Sequence, residues 1–406
     1  MGQGSNSSAL RNFNERIVIS TLKKYGSASK ADLARAMGLT LPTLSRIIDD
    51  LESRELIAKT GRRSQGVGQP SNIYHINANC LFSIGIKLGR QNLEFVLTNF
   101  SGDILHKQST DFRQLTPEML VNLIESGIKT LVAELKPEQL KKLAGIGIGM
   151  PWFIGSWVEN NEMDKEYSLL WQDFDLAFQL ETKLDYDFFY ENDCTAAAAA
   201  ELYFGKNETS NNFLYVFIGS FIGGGLILNG DLEKGVHSNA ACLATMPVPK
   251  SALNNATKGA ETWTTLIERA SLTSLINYLN FNKVKISQIS ELPNIIDDNR
   301  NLVHEWMLDC ADSLAFAIYS SISILDLEKV VIDSDLPRYL LTELINIIDR
   351  KLQNSKKKYD FLPKLQQGTL GEDAIAIGGA FLPIYFHFAP DKTVILKGGV
   401  PERSSS

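Results

Sequence analysis

Four hydrogen-bonding side chains near the N-terminus, Thr40, Thr43, Ser45 and Arg46, have types and a spacing that suit contacts with nucleic acid. Hydroxyl and guanidinium groups form hydrogen bonds with base edges in the major groove of DNA. Thr40 precedes Pro42 and fits the N-cap of a helix, which places the other three side chains near the N-terminal end of that helix. We predict Thr43, Ser45 and Arg46 as base-reading side chains and Thr40 as part of the same surface.

A second candidate contact follows this helix. Arg62 and Arg63 precede a glycine-rich stretch that contains Gly68 and Gln69, and the alternating run Ile73–Ile76 comes next. This pattern predicts a β-hairpin, or wing, that lies along a phosphate ridge or enters a narrow A·T-rich minor groove. A module of this kind can also bind another protein.

Three amphipathic helices are needed to position these side chains. Apolar residues recur at helical spacing over Phe13–Tyr25, and Ser29 with Asp32 resembles a capping box at the start of a second helix. Gly38 suits the tight turn before the helix that carries the base-reading candidates. Together with the wing, these helices predict a winged helix-turn-helix over residues 13–78.

The charge of the chain is unevenly distributed. Residues 1–80 contain 11 basic and 6 acidic side chains, a net charge of +5, whereas the rest of the 406-residue chain carries −12. The overall charge of −7 argues against a protein whose whole surface binds nucleic acid. We expect a small basic module that docks on an anionic partner, followed by a larger acidic body with another role.

Cysteine usage and hydropathy favour a cytoplasmic chain. The four cysteines are widely separated and include no C-x-x-C pair, so we expect reduced thiols rather than a disulfide framework. No stretch of 18 uninterrupted apolar residues occurs, and the Gly/Ser/Asn-rich N-terminus lacks an apolar core of the signal-peptide type. We predict disorder over residues 1–12 and no membrane association.

The body after residue 80 has a strand-rich pattern. Alternating runs over Phe82–Leu88, Leu93–Asn99 and Ile104–Ser109 predict a three-stranded meander, which a helix and a buried strand at Ala144–Gly149 follow. A comparable series recurs from Phe213 onward. Two similar α/β halves around a cleft fit a duplicated architecture, although the pattern alone does not distinguish it from other α/β folds.

Asn192 and Asp193 suit a ligand with several hydroxyl groups. A carboxylate accepts two hydroxyl hydrogens, and an amide both donates and accepts. The same side chains are favoured as caps of the alanine-rich helix predicted over Ala196–Tyr203. Both roles can hold together.

The motifs of the body resemble those of the ROK family of repressors and sugar kinases. The similar segments are Gly145–Pro151, Glu191–Ala196, the glycine-rich Gly219–Gly225 and Leu370–Ala374. The tract Gly66–Ser71 resembles the wing of xylose and N-acetylglucosamine repressors in this family. The resemblance extends over most of the chain.

The resemblance implies an α/β fold class: an N-terminal winged helix-turn-helix followed by a duplicated actin/hexokinase-like, or ribonuclease H-like, body. The first lobe would comprise residues 80–192 and 370–390, and the second lobe, residues 193–369, would hold the ligand cleft and an oligomerisation surface. The implied partners are double-stranded operator DNA, a sugar or sugar derivative as effector, and further copies of the chain in a homodimer or homotetramer.

The resemblance also implies the effector residues. Asp193 matches the family's catalytic base, and Glu261 lies in a segment similar to Glu-x-aromatic-x-Ser, which supplies a second sugar carboxylate; a glutamate at a helix start is the structural alternative. Pro151 and Trp152 stand where the family has small residues, and aromatic side chains there either stack on a ligand or fill the pocket. With Asn192, these residues form the predicted effector site.

Departures from the family's pattern argue against catalysis. Lys87–Gln91 stands where the family's kinases have Asp-x-Gly-Gly-Thr, and Asp333-Ser334 stands where they have the Gly-Gly of the adenosine site. Cys242–Thr245 replaces the motif Glu-x-Gly-His, and the zinc cysteines that normally follow it are missing. We therefore predict no catalytic residue, no metal and no cofactor.

Three functions stay open. The first is a DNA-binding transcriptional regulator, a repressor of genes for sugar uptake or catabolism, controlled by a sugar-like effector in a non-catalytic body. The second is a sugar kinase that carries a DNA-binding domain and relies on Asp193. The third is a regulator controlled by a sugar-transport protein.

Overall fold

The structure is a computed structural model. It describes residues 7–63, 71–112, 115–151, 170–206, 210–253, 262–354 and 361–388. The chain divides into two compact units, the first comprising residues 1–88, 92–191 and 379–406, and the second comprising residues 89–91 and 192–378. The predicted winged helix-turn-helix therefore belongs to the same unit as most of the predicted first lobe.

The elements of the N-terminal region are α1 (Ser7–Tyr25), β1 (Ala28–Ser29), α2 (Lys30–Met37), α3 (Leu41–Ser53), β2 (Ile57–Arg63) and β3 (Ser71–Ile76). The strands form an antiparallel sheet in the order β1-β3-β2. Fully buried aliphatic side chains form the core of this region, namely Val18, Leu22, Leu33, Leu44, Ile48 and Leu51. Each buried side chain of this size contributes about 1.5–3 kcal/mol relative to exposure.

The first helix begins earlier than the sequence predicts. α1 starts at Ser7, so the prediction of disorder over residues 1–12 is wrong for residues 7–12. Ala9 and Leu10 are strong helix formers, and neither glycine nor proline interrupts the chain between Ser7 and Phe13. The helix consequently extends into the segment that composition alone marks as disordered.

The rest of the first unit is built around a five-stranded sheet. Its strands are β4 (Phe82–Leu88), β5 (Asn92–Asn99), β6 (Ile104–Asp111), β7 (Leu143–Met150) and β8 (Phe188–Asn192), in the order β6-β5-β4-β7-β8. β4, β5 and β6 form an antiparallel meander, and β7 joins β4 in parallel. The helices that accompany it are α4 (Pro117–Ala133), α5 (Pro137–Leu140) and α6 (Leu176–Lys183).

The second unit contains a sheet of the same topology. Its strands are β9 (Phe213–Ile218), β10 (Ile222–Leu228), β11 (Asp231–Glu233), β14 (Lys329–Ser334) and β15 (Lys364–Gln367), in the order β11-β10-β9-β14-β15. The first three are antiparallel, and β14 joins β9 in parallel, as β7 joins β4. The shared order confirms the predicted duplicated α/β architecture.

The remaining elements of the second unit surround this sheet. They are α7 (Asp193–Phe204), the hairpin β12 (Pro247–Pro249) and β13 (Trp263–Thr265), α8 (Leu272–Phe281), α9 (Leu292–Ile295), α10 (Arg300–Leu325), α11 (Arg338–Asn354) and α12 (Ala374–Phe388). The boundary between the units falls within α12, at Gly378 and Gly379. Residues 379 onward therefore complete the first unit.

Among the described helices, α10 is the one whose length and hydropathy would suffice to cross a membrane. Half of its most apolar stretch is buried inside the second unit, where Val303 and Leu314 pack in the core. Asp309 on its buried side forms an ion pair of 2.6 Å with Arg269. These contacts are typical of a core helix of a globular unit.

Candidate functional site

The turn between α2 and α3 has the geometry of a helix-turn-helix. Ser29 caps α2 by accepting a hydrogen bond from the amide of Asp32 at 3.2 Å, and the Asp32 carboxylate accepts one from the amide of Ser29. Gly38 ends α2 with φ of 64°, and the amide of Leu39 returns to the carbonyl of Ala34. This left-handed turn at Gly38 directs the chain into α3.

The predicted base-reading residues lie on the exposed side of α3. Thr40 occupies the N-cap position, and its hydroxyl oxygen lies 2.9 Å from that of Thr43. Thr40, Thr43 and Arg46 are exposed and Ser45 is half-buried, whereas Leu44 is fully buried on the opposite side. The first two turns of α3 therefore present hydroxyl and guanidinium groups to solvent.

The acidic side chains of α3 are confined to its C-terminal half, and each is paired within the same region. The pairs are Asp49 with Lys30 (2.7 Å), Asp50 with Arg54 (3.1 Å) and Glu52 with Lys59 (2.7 Å). Arg46 forms no ion pair with any residue in the described ranges. The exposed Arg46 guanidinium therefore lies in the N-terminal half of α3, and the neighbouring acids Asp49 and Asp50 are engaged by other cations.

The backbone of the wing is described, whereas its tip is not. Arg62 pairs with Asn72 and Arg63 with Ser71 across β2 and β3, after an irregularity of the register at Gly61. The side chains of Arg62 and Arg63 lie outside the described residues, as do Gly68 and Gln69 entirely. Their contacts with DNA stay predictions.

The predicted effector residues Asn192 and Asp193 lie at the start of α7, where Asn192 is the N-cap and Asp193 is the first helical residue. The Asn192 side-chain oxygen accepts hydrogen bonds from the amide of Thr195 at 3.2 Å and from its hydroxyl at 3.3 Å. The Asp193 carboxylate accepts one from the amide of Cys194 at 2.7 Å. Both side chains are half-buried. The capping role is therefore present, and ligand contact stays a prediction.

The other effector candidates are placed only in part. Pro151 follows β7 in the first unit and is half-buried, whereas Asn192 and Asp193 belong to the second unit. Trp152 and Glu261 lie outside the described residues. In the described ranges, no cluster of three His, Cys, Asp or Glu side chains is arranged to hold a metal ion, and none of the four cysteines forms a disulfide there.

An ion pair occupies the position of the kinase-type carboxylate at the end of β4. Lys87 and Glu94 face each other across β4 and β5, with the ammonium 2.8 Å from the carboxylate, and both side chains are buried. Asn92 donates a further hydrogen bond of 3.0 Å to Glu94. Since Lys87 brings a positive charge where kinases place a carboxylate, this position is unsuited to a metal–nucleotide complex.

The glycine-rich loop after β9 is held by the protein itself. The carbonyl of Gly219 accepts a hydrogen bond of 2.8 Å from the amide of Leu272, and that of Ser220 accepts one of 2.7 Å from the Thr273 hydroxyl. A Cβ atom at Gly219 would lie 2.8 Å from the Asp335 carboxylate. A carboxylate against this loop disfavours a bound phosphate, because two negative groups would meet there.

The second unit also contains a buried acidic cluster that sequence reasoning missed. Asp333 is fully buried, accepts a hydrogen bond of 3.2 Å from the Tyr215 hydroxyl, and pairs with Arg338 at 3.0 Å. Both carboxylate oxygens of Glu201 accept hydrogen bonds from Thr369, with amide distances of 3.1 and 3.2 Å. This cluster fills the end of β14, where family kinases have two glycines.

Burial sets the protonation of this cluster. Desolvation, together with the charge of Asp333, raises the pKa of Glu201 to about 7, against the lowering effect of the hydrogen bonds from Thr369. Desolvation also raises the pKa of Asp333 to about 6, against the opposing effect of Arg338. One sequence signal could have indicated the cluster, namely Asp333 and Ser334 in place of the Gly-Gly pair. The structure adds that residue 368 must be glycine, because a Cβ atom there would collide with the Asp333 carboxylate.

Comparison with known proteins gives consistent matches. A family model described as ROK family matches residues 83–384, and one described as MarR family matches residues 15–63. Uncharacterized protein y4fQ of Sinorhizobium fredii is 24% identical over 377 residues, which cover 92% of this chain and 91% of the relative. The xylose repressor of Bacillus subtilis is 24% identical over 391 residues, which cover 91% of this chain and 94% of the relative.

A solved structure shows the same fold over nearly the whole chain. It is described as a ROK family transcriptional regulator, homolog of the E. coli MLC protein, and it aligns with a TM-score of 0.65 at 18% sequence identity. The alignment covers 94% of this chain and 98% of that structure. The winged region and both sheets therefore have counterparts in one known architecture.

Proposed function

The chain belongs to the ROK family and carries an N-terminal winged helix-turn-helix of the MarR type, and on this premise we propose that it is a DNA-binding transcriptional regulator. The observation that carries the proposal is the polarity of α3. Its N-terminal half presents Thr43 and Arg46 to solvent, while every acid of its C-terminal half is neutralised by a neighbouring cation. This arrangement suits insertion of the N-terminal end into the major groove.

We propose further that the regulated genes serve sugar uptake or catabolism and that the chain acts as a repressor. The similarity to a protein named xylose repressor supports this assignment. The effector would be a sugar or sugar derivative held by Asn192, Asp193, Glu261, Pro151 and Trp152. Because winged-helix regulators commonly bind two half-sites, the proposed form is a cytoplasmic homodimer or homotetramer.

The proposed body is non-catalytic. The position at which kinases have a metal-binding carboxylate is occupied by Lys87, whose charge Glu94 neutralises. The Asp335 carboxylate lies close to Gly219, in the loop that would bind phosphate. Asp193 then serves ligand binding and helix capping and takes no proton from a sugar hydroxyl. A sugar-dependent ATPase activity that Asp193→Asn abolishes would contradict this part of the proposal.

Selection of bound duplexes from a random DNA pool tests the DNA-binding proposal. The full chain should enrich an A·T-rich palindrome whose two half-sites are one helical turn or more apart. Recovery of no sequence preference, at low salt as well as moderate salt, would contradict it.

A thermal-shift screen tests the effector proposal separately. Monosaccharides, their amino, N-acetyl and phosphorylated forms, and ATP with magnesium are each added to the full chain. A ligand that binds the folded state selectively raises its melting temperature. A shift with one sugar and none with ATP supports the proposal, whereas a shift with ATP alone favours the kinase.

A further inference from the structure

The segment that joins the winged helix-turn-helix to the first sheet is short and hydrogen-bonded on both sides. It runs from residue 77 to residue 81, between β3 and β4. On one side the amide of Asn77 binds the carbonyl of Leu56 at 3.0 Å, and on the other the carbonyl of Ala78 accepts from the amide of Phe100 at 3.0 Å. Cys80 within it is buried. These features differ from those of a flexible tether.

The C-terminal end of α3 lies next to this segment, and an unusual residue type occupies the left-handed position that ends the helix. The amide of Leu56 binds the carbonyl of Leu51, and that of Glu55 binds the carbonyl of Glu52, both at 3.0 Å. This is the Schellman pattern, in which the left-handed position is usually glycine. Here it is Glu55, with φ of 59°. A side chain with a Cβ is strained in this conformation, so its presence requires a reason.

The reason is found in what Glu55 contacts. Its carbonyl accepts a hydrogen bond of 2.8 Å from the side-chain amide of Asn77. Its carboxylate lies 3.5 Å from the ammonium of Lys142, whose carbonyl in turn accepts a hydrogen bond of 2.9 Å from the amide of Phe82. Glu55 therefore touches the joining segment and the residue that directly precedes β7.

Two other observations support the contact between the winged region and the first lobe. Burial raises the pKa of the Cys80 thiol to about 12, and Lys142 and Glu55 both act on it, with opposite signs. A second attachment lies at the end of α1, where the Lys23 ammonium donates to the carbonyl of Ser101 in the turn between β5 and β6. The winged region is thus held at two separate points of the lobe.

We propose that Glu55 is a positioning residue that fixes the end of the recognition helix to the first lobe through Asn77 and Lys142. The inference rests on the proposed function, because it concerns the helix assigned to DNA. The winged helix-turn-helix then moves with β7 as one body. β7 begins after Lys142 and is followed by Pro151, a predicted effector residue, so one strand of roughly 26 Å runs from the attachment at Lys142 to that residue.

Amide hydrogen exchange of the full chain, without DNA, tests the attachment itself. Glu55→Gln removes the negative charge and keeps the Cβ atom in the left-handed position, so the backbone strain is unchanged and only the ion pair is lost. Lys142→Met removes the partner, and Lys141→Met is the matched control on the neighbouring exposed lysine. We expect exchange of residues 77–81 to accelerate by about two- to five-fold in either variant, the effect of one partly exposed ion pair.

The double variant separates attachment from general loosening. Glu55→Gln with Lys142→Met should accelerate exchange no more than either change alone, and Glu55→Lys with Lys142→Glu should restore slower exchange than either reversal alone. Additive acceleration, or none beyond the Lys141→Met control, overturns the proposal.

A second measurement adds an A·T-rich duplex as the probe. In the natural chain, bound DNA should slow exchange of β7 amides, which belong to the lobe, and Glu55→Gln should lose at least half of that protection. Equal protection in both proteins overturns the coupling. If the natural chain binds no duplex, the proposed function fails, while the DNA-free exchange still decides whether Glu55 fixes the helix.

Discussion

The N-terminal end of α3 and the interior of the second unit hold charged groups in opposite ways. Arg46 is exposed and forms no ion pair with the residues that the structure describes, whereas Asp333 is fully buried and contacts Arg338 and Tyr215. An exposed cation can exchange its water for a phosphate or a base at small cost, while a buried carboxylate is committed to its partners. The comparison indicates that α3 presents a cation that is accessible to an anionic ligand, whereas the charged groups at the end of β14 are engaged within the protein.

The largest expected effect is on the buried ion pair of the second unit. Arg269→Met leaves the Asp309 carboxylate buried without its partner, which contacts it at 2.6 and 3.0 Å. We expect a loss of about 3–5 kcal/mol in the free energy of unfolding. Chemical denaturation measures it, with Lys129→Met in the exposed Glu125 pair as the control. If Arg269→Met lowers the free energy of unfolding as little as Lys129→Met does, the expected difference between the buried and the exposed ion pair is contradicted.

The acidic cluster should make stability depend on pH. The pKa values of Glu201 and Asp333 in the folded chain, about 7 and about 6, are raised above their ordinary values. The folded chain holds these protons more tightly than the unfolded chain, so their contribution is complete below the ordinary carboxyl pKa of about 4 and is lost progressively as pH rises from there to about 7. Glu201→Gln should therefore gain on the order of 1–3 kcal/mol relative to the natural chain at pH 8 compared with pH 5.

Denaturation at a series of pH values measures this effect. Glu118→Gln, in the exposed first turn of α4, is a control that should leave the pH profile between pH 5 and 8 as it is. If the free energy of unfolding of Glu201→Gln differs from that of the natural chain by the same amount at every pH, the cluster does not titrate in this range.

Removal of the exposed guanidinium tests the other side of the comparison. Arg46→Ala should weaken binding to the selected duplex by about 1–3 kcal/mol, roughly 5- to 150-fold, and relax its sequence preference at one position. Fluorescence anisotropy measures the affinity. Arg350→Ala, an exposed arginine of α11, is the matched control. Equal affinity of both variants would exclude Arg46 as a base-reading residue.

The smallest effect is expected at the wing. Arg62→Ala should weaken binding to many sequences alike and reduce the slope of log affinity against log salt by about 1, because a phosphate contact releases one counterion. The same holds for Arg63→Ala. Titration at several salt concentrations measures the slope. An unchanged slope in both variants would contradict the predicted phosphate contact.

The winged helix-turn-helix could be predicted from sequence because its signals are local. Ser29, Asp32 and Gly38 lie within ten residues of one another and set the helix ends through their own backbone contacts. The duplicated α/β architecture could likewise be predicted, since consecutive alternating runs indicate the first meander and a comparable series recurs from Phe213, whereas the order of the parallel strands could not. The start of α1 was missed because composition reports average polarity rather than helix propensity.

The acidic cluster and the Glu55 attachment could not be predicted for the opposite reason. Asp333 meets Tyr215, Arg338 and Gly368, which the sheet topology brings together from separate parts of the chain. Glu55 looks like any surface acid until the left-handed backbone and the approach of Lys142 are known. Single-sequence reasoning identifies residue types but not the partners that distant segments supply.

The chain order of the elements has a consequence for synthesis on the ribosome. The winged helix-turn-helix is complete once residue 76 has been made, whereas the second sheet needs β15 and the first unit needs α12 after Gly379. At typical translation rates, the interval is on the order of 15–60 s. We therefore expect each new chain to pass through a stage in which the nucleic-acid-binding module is folded and the regulatory body is still being translated.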